Sequence, residues 1–313
     1  MQTRSSIDAQ AVGLMLVLCL VWGVQQVALK ATAADVAPVF QIALRSGVAA
    51  ALIALLMAAQ GERMTLADGV WRPGLAVGLL FAVEFLCVGE AVRRTEASHV
   101  VVFLYTAPIF AALGLHARLR SERLRPLQWA GIALAFAGIV LAFVGHRAAP
   151  QRGVSMAGDV LALLAGAGWG GTTVIVRCSR LATLPAKQTL LYQLAVAFVL
   201  LLAATYASGQ GAFHATPLVW ACLVFQCLAV SFASYLAWFW LLRRYVASQL
   251  GIFSFLTPLF GVAFGVWLLD ESLQSGFAGG AVLVCAGLAL VSGQAWLERR
   301  RDRRLAAARL PNG

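Results

Sequence analysis

The sequence predicts an all-α integral membrane protein whose ten transmembrane helices form two inverted five-helix repeats. Three observations carry that prediction. Hydrophobic residues fill 61% of the 313 positions and charged ones only 12%, with the charges gathered into short clusters between long apolar runs. Ten such runs approach the roughly 20 residues that a helix needs to cross the hydrocarbon core. The chain also echoes itself: "RRTEASHVVVFLYTAPIF" at 93–110 returns as "RRYVASQLGIFSFLTPLF" at 243–260, so that Arg93, Arg94, Ala97, Ser98, Phe103, Pro108 and Phe110 meet Arg243, Arg244, Ala247, Ser248, Phe253, Pro258 and Phe260.

The first run, 11–29, is longer than a signal-peptide core and lacks an A-x-A-like cleavage site, so it is expected to stay as a helix of the mature chain. It contains "WGVQQVALK" at 22–30. The second, 37–58, carries Gln41 and, one turn later, Arg45; the third, 74–92, carries Glu84 and Glu90. At 1.5 Å per residue Glu84 lies roughly 15 Å into its span, near the bilayer midplane. The fourth, 98–117, is interrupted by Pro108, and the fifth, 127–145, follows Glu122 within "SERLRPLQWAGIALAFAGIVL".

The second half repeats these stations. Run six, 157–177, ends in "WGGTTVIVR", matching the Trp, Gly and terminal cation of the first run. Run seven, 188–207, offers Tyr192 or Gln193 where Arg45 stood, and run eight, 217–241, offers Ser234 and Trp240 opposite Glu84 and Glu90. Run nine, 248–269, has Pro258, and run ten, 275–294, follows "DESLQSG", aligning Glu271 with Glu122, Gly280 with Gly131 and Gly287 with Gly138. The domains are therefore 1–150, 151–298 and a basic tail at 299–313. An odd number of helices per repeat inserts the second half upside down relative to the first. Inverted repeats are a recurrent carrier architecture, with the site near the midplane between the halves.

Lys and Arg favour the side that holds both termini, the linkers around 59–73, 118–126 and 178–187, and the tail, which places the N- and C-termini in the cytoplasm. The net charge of +11 thus reads as membrane topology and an anionic-lipid anchor, not as nucleic-acid binding. Six cysteines, five of them inside predicted spans, give neither a disulfide framework nor a metal-ligand spacing. No P-loop, H-E-x-x-H or G-x-S-x-G motif is present, and the loops are too short for a soluble catalytic domain, so no cofactor is expected and an enzyme is disfavoured.

The paired W-G-x6-K/R openings, Arg45, the "AS…P" pattern entering spans four and nine, and the "SERLRPLQWAGIALAFAGIVL" block resemble the EamA module of the drug/metabolite transporter superfamily over about residues 11–294. That resemblance implies a ten-helix carrier of the bacterial inner membrane, usually an exporter of amino acids or other small metabolites, with a central cavity. The chain departs from symmetry where chemistry is concerned, since Arg45, Glu84 and Glu90 have no charged mates in the second half.

The expected substrate-binding set is Arg45, Glu84, Gln25, Gln26, Gln41, Tyr105, Trp22, Trp169 and Thr172, with Thr173, Thr106 and Thr257 beside it. Buried polar groups in hydrocarbon need partners, which substrate or water can supply. Arg45 is expected to pair with Glu84 or Glu90, either as a fixed tie or as the two poles that hold a zwitterion, and Glu84 and Glu90 are the candidates for proton coupling. Pro108 and Pro258 are expected to break their helices, freeing the Leu104 and Ser254 carbonyls for substrate. Glu122 and Glu271 are read as end caps or gate-side charges. The implied partners are a small-molecule substrate, the lipid bilayer and protons. The rival readings are a channel, and a membrane receptor or scaffold without transport activity; the latter gives no reason for duplicated mid-span prolines.

Overall fold

The computed structural model describes residues 8–67, 69–94, 97–144, 156–269 and 276–291; the basic tail at 299–313 and the acidic loop at 270–275, with Glu271, lie outside them. The described chain is almost entirely helical: α1 (Ala9–Ala31), α2 (Pro38–Ala59), α3 (Trp71–Arg94), α4 (Ala97–Leu104), α5 (Ala107–Arg118), α6 (Pro126–Val144), α7 (Met156–Cys178), α8 (Ala186–Ala207), α9 (Pro217–Phe225), α10 (Tyr235–Arg244), α11 (Ala247–Phe253) and α12 (Leu256–Leu269). A last helix, α13, covers Phe277–Val291. Local signals explain the starts. Asp8 caps α1 by accepting from Ala11 N at 2.9 Å, and Thr216 caps α9 by accepting from Val219 N at 3.2 Å.

Among the described residues eight segments are long and apolar enough to cross a membrane: α1, α2, α3, α4 with α5, α7, α8, α9 through α10, and α11 with α12. At the fifth and tenth stations, where the hydropathy pattern predicts two more spans, the apolar stretches within the described residues are shorter, Pro126–Ala142 and Phe277–Val291.

The fourth and ninth spans break just ahead of Pro108 and Pro258. A proline removes a backbone donor and clashes with the preceding turn, and the chain answers by tightening: Thr106 N donates to Phe103 O at 3.2 Å, and Ser254 N to Gly251 O at 3.1 Å. Of the two carbonyls expected to be free, the one at Ser254 is taken, while Leu104 lines the cavity described below. Ser254 O accepts from Thr257 N at 2.9 Å, and Leu104 O lies against Gly166 of α7, on which a Cβ would stand only 2.9 Å away. A third irregularity has no sequence counterpart. Between α9 and α10 the eighth span carries a π-helical segment, Gln226–Ser234, a form that is rare and concentrates at functional sites.

Glycines bring the backbones together, and they do so in duplicate. Gly131 and Gly287 meet at the crossing of α6 and α13, where a Cβ on either would approach the other's carbonyl oxygen to 2.8 or 2.5 Å; Gly138 and Gly280 meet the same way at 2.6 and 2.5 Å. Because Gly131 aligns with Gly280 and Gly138 with Gly287, exchanging the halves maps one contact onto the other. The same holds elsewhere. Gly23 of α1 faces Phe260 and Gly261 of α12, while its counterpart Gly170 of α7 faces Phe110 and Ala111 of α5.

The loops collect at two ends. At one, the Tyr245 hydroxyl reaches Asp8 at 2.9 Å, Tyr192 donates to Thr65 O at 2.6 Å, and Lys187 pairs with Glu62 at 2.6 Å and bonds Gln60. At the other, Val36 bridges Phe213, and His214 N donates to Asp35 O at 3.1 Å. The first end is closed by a buried knot. Glu122, 0% exposed, accepts from Arg177 of α7 at 2.6 and 3.0 Å, from Ala247 N and Ser248 N of α11 at 3.1 Å each, and from Ser248 Oγ at 3.0 Å. Arg177 also donates to Leu242 O of α10 at 2.7 Å. One carboxylate thereby neutralises a cation, caps α11 and fastens three spans.

Four variants are distinguished by thermal unfolding of the purified protein. Gly280→Val forces a side chain against Gly138 and is expected to lower stability by about 1–3 kcal/mol or more, whereas Gly13→Ala, inside α1 with nothing within 4 Å, is expected to raise the melting temperature slightly, by up to about 1 kcal/mol of stability. Glu122→Ala strands a buried guanidinium and is expected to cost about 3–5 kcal/mol. Glu62→Ala, breaking a partly exposed pair, is expected to cost about 0–1 kcal/mol.

Candidate functional site

Between the halves lies a polar cavity of about 110 Å³. Trp22, Gln25 and Gln26 of α1, Glu84 of α3, Tyr105 at the break between α4 and α5, Trp169, Thr172 and Thr173 of α7, and Thr257 of α12 all line it, which brings together most of the residues singled out by sequence. Gln26 is exposed and stands at the rim, while Val176 and Leu242 line the far side, directly above the Arg177–Glu122 knot. A larger groove of about 620 Å³, lined by Ile109, Trp129, Ile132, Phe136 and Val140, is shallow and nearly all apolar. Polar chemistry is confined to the smaller space.

The wall is aromatic, and its geometry follows from the helix crossings. Trp22 precedes Gly23, whose missing side chain lets α1 press onto α12; the indole then donates to Ser234 Oγ at 2.9 Å and packs edge-on against Trp238 at 5.9 Å. Trp169, which precedes the equivalent Gly170, packs edge-on against Tyr105 at 5.6 Å. Among the polar groups turned to this space, Thr172 Oγ1 and Gln193 Oε1 have no protein partner. Gln193 is one of the two residues that the repeat sets opposite Arg45.

The charged residues separate into different places. Glu84, 8% exposed, is the one acid on the cavity wall and makes no ion pair among the described residues. Arg45 is fully buried but lies behind the lining: its guanidinium stacks over the Phe85 ring at 5.4 Å, Nη2 bonds the Tyr235 hydroxyl at 3.3 Å, and Nε and Nη1 have no acceptor. The expected ion pair of Arg45 with Glu84 or Glu90 is not formed, because α2 presents the guanidinium to α3 and α10 through their aromatic side chains. Arg45 and Glu84 nevertheless remain within electrostatic reach of each other. Glu90 is part-exposed and accepts from Arg94, one turn along α3, at 2.6 Å, so it is not in the cavity.

Gln41 is fully buried and also outside the lining. It donates to Val36 O at 2.8 Å and accepts from Gln226 at 2.8 Å and Thr32 at 3.1 Å, tying α2 to the loop after α1 and to the π-helical segment. Thr106 donates to Phe103 O at 2.5 Å, inside its own break. Pro108 and Pro258 are buried at the breaks and shape the wall without lining it. Sequence reasoning missed the contribution of the eighth span, where Tyr235, Trp238, Phe239 and Leu242 complete the wall. The signal was present in the repeat, since Tyr235 follows Ser234, the counterpart of Glu84. Among the described residues no three His, Cys, Asp or Glu side chains cluster to hold a metal.

The model of the EamA-like transporter family matches residues 9–144 and again 156–293. The chain is 28% identical over 284 residues to a probable amino-acid metabolite efflux pump of Salmonella typhimurium, covering 88% of this chain and 92% of that one. It is 22% identical over 275 residues to the Bacillus subtilis transporter YoaV, covering 86% and 92% of the two chains, and 26% identical over 222 residues to a transporter of Archaeoglobus fulgidus, covering 69% and 72%. A solved crystal structure superposes with a TM-score of 0.78 over 96% of this chain and 99% of the other, at 21% identity, and so shares the fold. With two copies of its module spanning nearly the whole sequence, the chain belongs to the EamA-like transporter family.

Proposed function

We propose that this family member is a secondary carrier of the bacterial inner membrane that exports an amino acid or a closely related metabolite by alternating access between two inverted five-helix repeats. The observation that carries the reading is the cavity between the repeats, which has one acid on its wall and one unneutralised guanidinium just behind it. Neither charge recurs in the second half, so each serves the cavity and not the duplicated frame. An α-amino acid presents the complementary pair, an ammonium for Glu84 and a carboxylate for Arg45. Glu84, without an ion partner, is also the group placed to exchange a proton during the cycle.

The ends of the bundle support the cycle. On the side assigned to the cytoplasm by its Lys and Arg excess, the Glu122 knot seals the cavity beneath Val176 and Leu242. Toward the other side, Gln26 is exposed at the rim. This is the arrangement of a carrier closed to the cytoplasm, and opening inward requires Arg177, Ser248 and Glu122 to part. The doubled glycine crossings supply the hinge surfaces, because equivalent contacts in the two halves can exchange geometries. Export of amino acids in particular draws on the likeness to the Salmonella efflux pump.

Transport by the purified protein in proteoliposomes, screened with the twenty standard amino acids under an imposed pH gradient, tests the reading. One or a few compounds are expected to move saturably with gradient stimulation. Glu84→Gln, incorporated at the same level, is expected to lose the gradient-stimulated component. Unchanged gradient-driven transport by that variant would remove Glu84 from the mechanism.

A further inference from the structure

Arg45 is a buried cation whose best partner is a poor one. A guanidinium has five donors and matches a carboxylate in a two-pronged fork; here two of its nitrogens find no acceptor, and a third reaches a neutral phenol at 3.3 Å, the long edge of a hydrogen bond. The guanidinium does not touch the cavity. Phe81, Phe85 and Tyr235 stand in between as a wall of edge-to-face rings, with centroids 4.8 Å apart for Phe81 and Phe85 and 6.0 Å for Phe81 and Tyr235. All three line the cavity on their other side. Phe85 and Tyr235 occupy equivalent stations of the two repeats and flank the same arginine, and only the second-half residue carries a hydroxyl.

We infer that Tyr235 is a specificity-determining residue: its hydroxyl holds the place on Arg45 that the substrate's carboxylate takes over, and the phenol swings off the guanidinium when the substrate loads. This rests on the reading that Arg45 and Glu84 bind the two poles of an amino acid. Three observations point to the exchange. Tyr235 is the only described side chain that both lines the cavity and hydrogen-bonds Arg45. The cavity, at about 110 Å³, is well below the roughly 300–1,000 Å³ of sites that enclose small molecules, so something on its wall must move aside. Tyr235 also begins α10 immediately after the π-helical segment, a form that concentrates at functional sites, while Phe85 sits within the continuous helix α3. The exchange selects by charge. A carboxylate bonding the arginine in two-pronged fashion displaces a neutral hydroxyl, and a carboxamide or alcohol does not.

The test uses the purified full-length protein and the intrinsic fluorescence of the cavity tryptophans Trp22, Trp169 and Trp238, titrated with each of the twenty amino acids and its carboxamide. Removing the competing hydroxyl in Tyr235→Phe is expected to tighten binding of the responding amino acid by about three- to tenfold, the worth of one hydrogen bond. Phe85→Tyr, which adds a second hydroxyl at the equivalent station, is expected to weaken it. The carboxamides are expected not to bind. Unchanged or weaker binding by Tyr235→Phe, together with no loss in Phe85→Tyr, would overturn the exchange. Arg45→Gln tells the two levels apart: if it abolishes binding while the tyrosine variants behave alike, only the exchange is wrong, whereas amino-acid binding that survives Arg45→Gln overturns the two-pole reading and the exchange with it. The same holds if no amino acid gives a response.

Discussion

The structure depends on backbones that touch. Lipid chains are as apolar as leucine, so helices in a membrane gain little from hiding hydrophobic surface and associate through close packing and hydrogen bonds. Here the packing is made by glycines that stand against carbonyl oxygens and main-chain nitrogens of a facing helix, at positions where no side chain fits. Gly131 with Gly287 and Gly138 with Gly280 join α6 to α13; Gly23 and Gly170 join α1 to α12 and α7 to α5. Every one of these contacts has an equivalent in the other half. The two repeats consequently meet through a surface that looks the same from either side. The polar cavity lies where the first and sixth spans are held against the broken ninth and fourth.

On that duplicated frame the chemistry is single. Arg45 is opposed by Gln193 or Tyr192, Glu84 by Ser234, and Phe85 by Tyr235. The frame makes room for these differences because each replacement finds a local use: Ser234 accepts from the Trp22 indole, and Tyr235 takes the arginine. Burying a charge is costly unless it is paired, and the molecule meets that cost in two opposite ways. At the end of the bundle Glu122 is saturated by Arg177 and by backbone and hydroxyl donors of α11, which makes a strong closure. In the interior of the bundle Arg45 is left with two unfilled nitrogens, which is what suits it to the proposed role.

Much of this was legible in the sequence, for identifiable reasons. Long apolar runs and the repeated "AS…P" segments locate eight of the ten expected spans and both breaks, because hydropathy and proline geometry are local properties. The cavity positions of Trp22, Gln25, Gln26, Glu84, Tyr105, Trp169 and Thr172 follow from depth and from the repeat. What failed were statements about pairing. Glu90 was expected near Arg45 by depth, yet it pairs with a cation one turn away on the same helix, Arg94. Gln41 precedes Arg45 by one turn but points toward the π-helical segment, whose presence no periodicity announces. The carbonyl expected to be free at Ser254 is taken by Thr257 N because the helix end tightens. Side-chain direction across an interface depends on the rotation of two helices, and a single chain of letters does not encode it.

The central claim is that the cavity is presented to one side of the membrane at a time. Counterflow tests it most directly. Proteoliposomes preloaded with an excess of unlabelled substrate are placed in a trace of the labelled compound, with no ion gradient present. Alternating access predicts a saturable, transient accumulation of label above the outside concentration, driven only by exchange through the reorienting site. Entry that merely equilibrates, rises linearly with concentration and ignores the preload would contradict the account and make the protein a channel.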